Sequence, residues 1–396
     1  MAPEGGDIGL QDTPLGSGAY LWPTRHQELL LSAATGKGQD AVDAFAAWRQ
    51  SVDIEAEFDH GTFRLLPLVY DNLRRLGVRD PFMGRLKGVY RMSWYETHRL
   101  FDRARSLIAA LEADGVRTLL LKGAPLVLSY YRNAAVRPMA DIDVVVAPRQ
   151  IARAIACVER LGLRRVQSFA DDDLKYRHAV LFSNGEGLDV DLHWHFLYET
   201  CNDEADGFFW SEARSLDFAG VPTLQLDAAG MLVHTIVHGI RWNAEPPTRW
   251  IPDTLAILRQ DLAPRDWERV VGFAASQKLT CRLALGLRYL VARHGAPVPP
   301  EVLARLEAAG VSLLERIENT VVLRDRERIY RNPIGKQWVI FADFCRWHAA
   351  TGRGPIDFLV GLSHYVRYRW GLKGRMEVIP TILRGLGRRA GKGARS

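Results

Sequence analysis

A chain of 396 residues, 47% hydrophobic and 25% charged, carries apolar material for about two or three domain cores and is neither fibrous nor disordered overall. Its net charge of +6 gathers at one end: from Gly361 onward nine lysines and arginines face the single Glu377, so the rest is slightly acidic and the basic balance gives no reason to read the whole chain as a nucleic-acid binder. Four widely spaced cysteines, Cys157, Cys201, Cys281 and Cys345, form no C-x-x-C pair, which speaks against a zinc ribbon or disulfide framework and points to a reducing, cytoplasmic setting.

Residues 1–24 are rich in Gly and Pro and lack the apolar stretch of a secretory signal, so they read as a flexible leader; no uninterrupted apolar run anywhere approaches the length of a membrane span. An N-terminal helical segment follows over 25–115. Val42, Phe45 and Trp48 share one helix face, the stretch HGTFRLLPLVYDNLRRLGV forms a helix ended by Gly77, and Leu100, Ala104, Leu107, Ile108 and Leu111 make an apolar stripe closed by Asp114-Gly115.

The next stretch, TLLLKGAPLVLSYYRNAAVRPMADIDVVV (118–146), reads as strand, glycine turn, helix, loop and strand. Leu119, Leu120 and Leu121 stop at Lys122-Gly123, and Pro125 suits a first helical turn, where its missing N–H would have no partner anyway. A turn that meets a helix N-terminus presents unpaired N–H groups to a phosphate, and Lys122 adds a full charge. In the strand DIDVVV the period of two sends Asp141 and Asp143 to one face and Ile142, Val144 and Val146 to the other. Two acids aimed the same way repel, and a divalent cation with a preference for hard oxygen ligands, Mg²⁺ or Mn²⁺, is the ordinary remedy.

A helix over Pro148 to about Leu161 then packs Ile151, Ile155 and Val158 on the sheet, and Ala179–Ser183 pairs through the turn Asn184-Gly185-Glu186-Gly187 with a strand over Leu188 to His195. In that strand Asp189, Asp191, His193 and His195 share a face. If it lies beside DIDVVV, three carboxylates converge. From Asp227 on the pattern is helical almost throughout, with His234 and His238 one turn apart but without the glutamate of an H-E-x-x-H protease motif. They read as packing or substrate-pocket residues. The domains expected are therefore a catalytic core over 116–226, a helical domain over 227–372 and a basic tail over 373–396.

The ordered set LLLKGAPL, RPMADIDVVV and DVDLHWH resembles the DNA polymerase β-type nucleotidyltransferase superfamily, within it the poorly characterised bacterial members with a KG turn, an R-x-x-x-D-I-D strand and a DLHW strand, over roughly residues 40–260. The resemblance implies an α+β fold: a small mixed β-sheet nucleotidyltransferase core with flanking helices, followed by a mostly helical C-terminal domain. It implies transfer of an NMP group from an NTP to an acceptor hydroxyl or similar nucleophile with release of pyrophosphate. Asp141, Asp143 and Asp191 would be catalytic and hold the metal, and Lys122, Gly123, Ala124 and Arg137 would bind the nucleotide. Asp189, His193, His234 and His238 are auxiliary candidates. Most of the superfamily has Gly-Ser in the turn where this chain has Gly123-Ala124, so Lys122 or backbone amides would replace the serine's phosphate contact. The acceptor, whether small molecule, peptide natural product, protein or RNA, has no motif, and the tail offers charge to an acidic partner. The alternative from another class is a non-catalytic or regulatory binding protein, antitoxin-like, that keeps the fold. Two further readings of DxD lose ground: glycosyltransferases carry the apolar strand before the acids, and Val145 stands where a haloacid dehalogenase phosphatase has threonine.

Overall fold

The computed structural model describes residues 21–53, 58–167, 171–241, 248–260, 262–322, 329, 333–351, 354–372, 374 and 377. The leader expected over 1–24 falls outside the described residues up to position 20, and the basic tail does so apart from Gly374 and Glu377. The leader's last residues are packed: Leu21 and Trp22 are buried, and Trp22 stacks on Tyr289 with ring centroids 4.5 Å apart.

The N-terminal segment forms α1 (Arg25–Thr35), α2 (Gly38–Ser51), α3 (His60–Arg75) and α4 (Met83–Ala113). Thr24 and Gln27 close a capping box on α1, and Asp59 caps α3, each supplying an acceptor to N–H groups that the helix itself leaves unpaired. The long α4 starts well before its apolar stripe. Its first half is anchored by few buried residues, Leu86 and Ser93 among them, and exposes Met92, Trp94 and Tyr95, so no clean period marks it in the sequence.

The sheet contains β1 (Thr118–Leu121), β2 (Ile142–Val146), β3 (Arg164–Arg165), β4 (Ala179–Ser183), β5 (Asp189–His193), β6 (Arg214–Phe218) and β7 (Val221–Gln225), in the order β3-β4-β5-β2-β1-β7-β6. It is mixed, because β2 runs parallel to β5 and β1 to β7 while the other neighbours are antiparallel. After β1 a single turn, α5 (Gly123–Pro125), passes into a π-helix over Leu126–Tyr131, and after β2 a 3-10 turn over Pro148–Gln150 leads into α6 (Ile151–Arg160). The remaining elements are α7 (Asp203–Ser211), α8 (Ala228–Gly239), α9 (Trp250–Leu258), α10 (Pro264–Ser276), α11 (Thr280–His294), α12 (Pro300–Ala308), α13 (Leu313–Val322), α14 (Pro333–Thr351) and α15 (Pro355–Arg369). The α+β architecture is as expected, with a larger sheet: β3, β6 and β7 have no counterpart in the sequence reading. Only Leu216, Phe218, Val221 and Thr223 of the β6–β7 hairpin are buried, too short an alternation to stand out.

Strand alternation divides the sheet between two cores. Leu120, Ile142, Val144, Val146, Val190 and Leu192 pack with the second half of α4 and with α6. Leu119, Leu121 and Val145 point the other way, into the larger core built from α1, α3 and α8 to α12. Helices therefore cover both faces. The second face is the one to which Asp143 and Asp191 belong, so the acids lie where the sheet meets the helical domain.

Beyond β5 the chain is tied to the helical domain by a buried charge network. Glu199 accepts from Arg241 Nη2 at 2.8 Å and from Arg282 Nη1 at 2.6 Å, and Arg282 also approaches Glu318, which Arg346 of α14 grips. Burial alone would raise the Glu199 carboxyl, but Arg241 and Arg282 outweigh it and hold it far below its ordinary value of 4.5. A depressed carboxylate stabilises the fold above the unfolded value, and that contribution disappears as pH falls through the folded one. Glu199→Gln is expected to cost about 3–5 kcal/mol at neutral pH by removing the carboxylate that the buried Arg282 and the half-buried Arg241 share, which leaves Arg282 the more distant Glu318 at 3.5 Å. Denaturant unfolding checks this, and the gap to wild type should narrow below about pH 4.5. A loss under about 1 kcal/mol would contradict it.

Candidate active site

β2 and β5 run side by side in register, Asp143 opposite Asp191 and Val145 opposite His193. Parallel pairing with this register brings two carboxylates from distant parts of the chain onto one patch. His193 bridges them: its Nε2 is 3.0 Å from Asp191 Oδ2 and 3.3 Å from Asp143 Oδ1. Lys122, at the end of β1, reaches over to Asp143 with Nζ 2.5 Å from Oδ1. One nitrogen of an imidazole and one side-chain ammonium thus sit among the acids and neutralise them.

The electrostatics follow from that packing. Burial alone would push the Asp143 carboxyl up, but Lys122 and the hydrogen bond from His193 hold it below the usual range. Asp191 is likewise held below the usual range, where the His193 charge and hydrogen bond outweigh burial. Burial would lower His193, and its two acidic partners raise it instead. Its Nδ1 is buried with no hydrogen-bond partner among the described residues. Asp141 lies just before β2 at the exposed end of the strand; the protein crowded around it and then the Asp143 charge raise its pKa.

Asp143, Asp191 and His193 each offer one ligand atom within 4.8 Å of the others, a group that can hold a metal ion. Two hard carboxylate oxygens and an imidazole fit a small divalent cation of the Mg²⁺ or Mn²⁺ kind, and such an ion would compete directly with Lys122 for Asp143. Asp141, expected as a third oxygen ligand, stands outside this close group, and His193, read as an auxiliary, stands inside it. Asp189 is partly buried at the start of β5 opposite Ser183 and also lies outside it. His195 leaves the strand and pairs with Asp206, Nδ1 to Oδ2 2.6 Å.

Beside the acids a cavity of about 790 Å³ opens between the turn after β1, the starts of α1 and α3, and the facing helices α8 and α9. Lys122, Arg137, His234 and His238 all line it. His234 Nε2 donates to the Phe196 carbonyl at 3.1 Å, its ring stacks on His238, and burial followed by the Lys122 charge pushes it down to about 3. His238 is likewise held well below its ordinary value, by burial and then Lys122, so both rings stay neutral. Arg137 is buried and gives Nε and Nη2 to the Asp253 carboxylate at 3.0 and 2.9 Å, while Tyr131 donates to the same group. Asp253 anchors this arginine from the first turn of α9.

Two basic residues of the same cavity escape the sequence reading, Arg64 on α3 and Arg249 at the start of α9. Each sits in a stretch whose signal is helical, so nothing local shows that the fold turns both toward one space from positions 185 residues apart in the chain.

A family model described as an uncharacterised nucleotidyltransferase matches residues 62–295. No curated protein matches. Similar solved structures include the antibiotic-resistance factor ANT(2'')-Ia, at 15% identity and a TM-score of 0.32, with 49% of this chain and 95% of that one covered. Another is an antigenic nucleotidyltransferase-like protein from Paracoccidioides brasiliensis, at 14% identity and a TM-score of 0.34, with 56% of this chain and 95% of that one covered. These two likenesses are too distant to carry further argument. The family model runs from α3 to the end of α11, more than half of the 396 residues, and takes in the KG turn, both acidic strands and the α8–α9 wall, so the chain belongs to the uncharacterised nucleotidyltransferase family.

Proposed function

We propose that the protein is a metal-dependent enzyme that moves an NMP group from an NTP to an acceptor hydroxyl or similar nucleophile and releases pyrophosphate. The observation that carries this reading is the Asp143–Asp191–His193 group, its ligand atoms within 4.8 Å, next to a lysine-bearing turn that opens on a cavity large enough for a nucleotide. A divalent cation bound there would neutralise the carboxylates and draw charge from the phosphoryl oxygens. Asp141, at the open end of the same strand, completes the acidic set from the solvent side. Retention of these carboxylates does not favour the non-catalytic, antitoxin-like alternative. The free cysteines support a cytoplasmic setting.

The turn Lys122-Gly123-Ala124 cradles the phosphates in place of the missing serine. Lys122 has φ 49° and ψ −107°, a backbone conformation that side-chain-bearing residues rarely adopt and that costs about 1–3 kcal/mol. The surrounding packing holds it so that its ammonium is aimed at Asp143. Gly123 is required by close approach: a Cβ there would lie 2.2 Å from Met139 Sδ and 3.0 Å from Arg137 Nη1. Arg137, fixed by Asp253, thus keeps one guanidinium nitrogen against the turn for a phosphate oxygen. In the reaction the acceptor oxygen bonds to the α-phosphorus, the α–β P–O bond breaks with its electron pair going to pyrophosphate, and Asp191, kept ionised beside His193, takes the acceptor proton. Residues 116–226 supply the chemistry in this scheme. The helical segments 25–115 and 227–372 close the cavity around the substrates.

Calorimetry with ATP, GTP, CTP and UTP, with and without Mg²⁺, tests the scheme; at least one is expected to bind in a Mg²⁺-dependent way. Asp143→Asn and Asp191→Asn should each weaken that binding by about tenfold or more, 1.4 kcal/mol, while melting as wild type does. Undiminished Mg²⁺-dependent binding in both variants would sink the assignment. Gly123→Ala should cost about 1–3 kcal/mol of stability and weaken nucleotide binding by displacing Met139 and Arg137. A variant that melts and binds like wild type would show that the close approach is dispensable.

A further inference from the structure

The family match ends at residue 295, and α14 and α15 lie beyond it. Their facing sides form an aromatic cluster in which Phe344, Trp347 and Tyr365 are buried together with Tyr176. Tyr176 belongs to neither helix: it ends a 3-10 turn over Asp171–Tyr176, and the helix pair holds that turn in place. Trp347 Nε1 donates to the Lys175 carbonyl at 2.8 Å, the Tyr176 and Trp347 rings lie 4.8 Å apart, and Arg367 pairs with the buried Asp173. Tyr365 makes a separate connection, since its hydroxyl shares a hydrogen bond of 2.5 Å with the hydroxyl of Tyr198, just beyond β5.

Both connections converge on His178. It follows the 3-10 turn and leads into β4, where its carbonyl accepts from the Trp194 and His195 N–H groups at 2.9 and 3.3 Å and so extends the β4–β5 pairing past His193. Its ring stands between two others, 5.7 Å from the Tyr198 ring and 5.4 Å from the His193 ring, edge to face in each case. A line of side chains, Tyr365, Tyr198, His178 and His193, thus joins α15 to the imidazole that bridges the two acids.

His193 needs such a support. A metal-binding imidazole is normally oriented by a hydrogen bond from its second nitrogen to a carboxylate, a carbonyl or water. In this chain Nε2 faces Asp143 and Asp191, while Nδ1 is buried and has no hydrogen-bond partner among the described residues. The tilt of the ring then depends on packing, and edge-to-face ring pairs have a preferred geometry.

We propose that His178 and Tyr198 are positioning residues: carried by the α14–α15 pair, they fix the plane of the His193 ring so that Nε2 stays between Asp143 and Asp191. The positioning rests on the contacts alone. Its consequence for a bound cation rests on the metal-dependent reading, in which a misplaced His193 weakens the ion's hold.

Two measurements on the full chain keep these apart. One is the His193 imidazole NMR signal of the metal-free protein made with isotope-labelled histidine, assigned by its loss in His193→Gln. The other is the affinity for Mn²⁺ alone, followed by the electron paramagnetic resonance of the free ion. His178→Ala is expected to broaden or double the His193 signal and to weaken Mn²⁺ binding about tenfold. His178→Phe, which keeps a ring in the same place, should retain a single signal and an affinity within about threefold of wild type. Tyr198→Phe and Tyr365→Phe each break the same hydroxyl pair, so each should weaken Mn²⁺ about threefold and the double variant no more than either alone. His178 and Tyr198 are both half-buried, and melting curves verify that the variants fold. A His193 signal unchanged in folded His178→Ala would overturn the proposal, as would His178→Phe behaving like His178→Ala. Tyr198→Phe and Tyr365→Phe that both match wild type in signal and affinity would overturn the link to α15. If the wild type binds no Mn²⁺ while the His193 signal still depends on His178 and Tyr198, the positioning stands and the metal-dependent reading falls.

Discussion

Two carboxylates brought together by parallel strands in register are the constraint around which this molecule is arranged. Asp143 and Asp191 face each other across β2 and β5, mostly removed from water, and like charges so placed need compensation. The fold supplies it twice. His193, two residues after Asp191 on the same strand face, bridges both acids through one nitrogen, and Lys122 crosses from β1 to Asp143. Neither contact is available from local sequence alone; the strand order β5-β2-β1 creates both.

That order also explains the division of labour between the cores. The face carrying Ile142, Val144, Val190 and Leu192 is sealed by apolar side chains of α4 and α6, which fixes the register on which the opposite face depends. A slip of one residue would bury the acids in that core. On the opposite face Leu119, Leu121 and Val145 bind the helical domain, and the surface between that contact and the open strand end becomes the cavity. The helical domain is secured by its own buried charges, with Glu199 just beyond β5 gripping Arg241 and Arg282. Stability of the C-terminal helices and geometry of β5 are thereby linked through a few residues.

Much of this was legible in the sequence for one reason: strand periodicity needs only neighbours. The period of two placed Asp141 with Asp143 and Asp191 with His193, and the turn at Lys122-Gly123 was marked by where the leucines stop. From Asp227 on the helical period was strong enough to mark the segment as helical almost throughout. What stayed hidden needs long-range information. His193 joins the acid group more closely than Asp141 does because of strand pairing, which the pattern permits and does not dictate. Asp253 serves Arg137 across the cavity, and Arg64 and Arg249 converge from separate helices. The π-helix after Pro125 and the short β6–β7 hairpin lack distinctive residue patterns, so the reading gave an ordinary helix for one and no element for the other.

The central proposal is that Asp143, Asp191 and His193 together bind a divalent cation, to which Lys122 gives up its contact with Asp143. A crystal structure with Mn²⁺ and a non-hydrolysable NTP analogue, with the metal located by its anomalous signal, tests this most directly. The account expects Mn²⁺ bound by oxygens of both carboxylates, at about 2.1 Å if the geometry is that of a small octahedral cation, with the Lys122 ammonium moved from Asp143 to a phosphate oxygen. Metal bound elsewhere, or nucleotide bound with the Lys122–Asp143 contact intact and no ion between the acids, would contradict it.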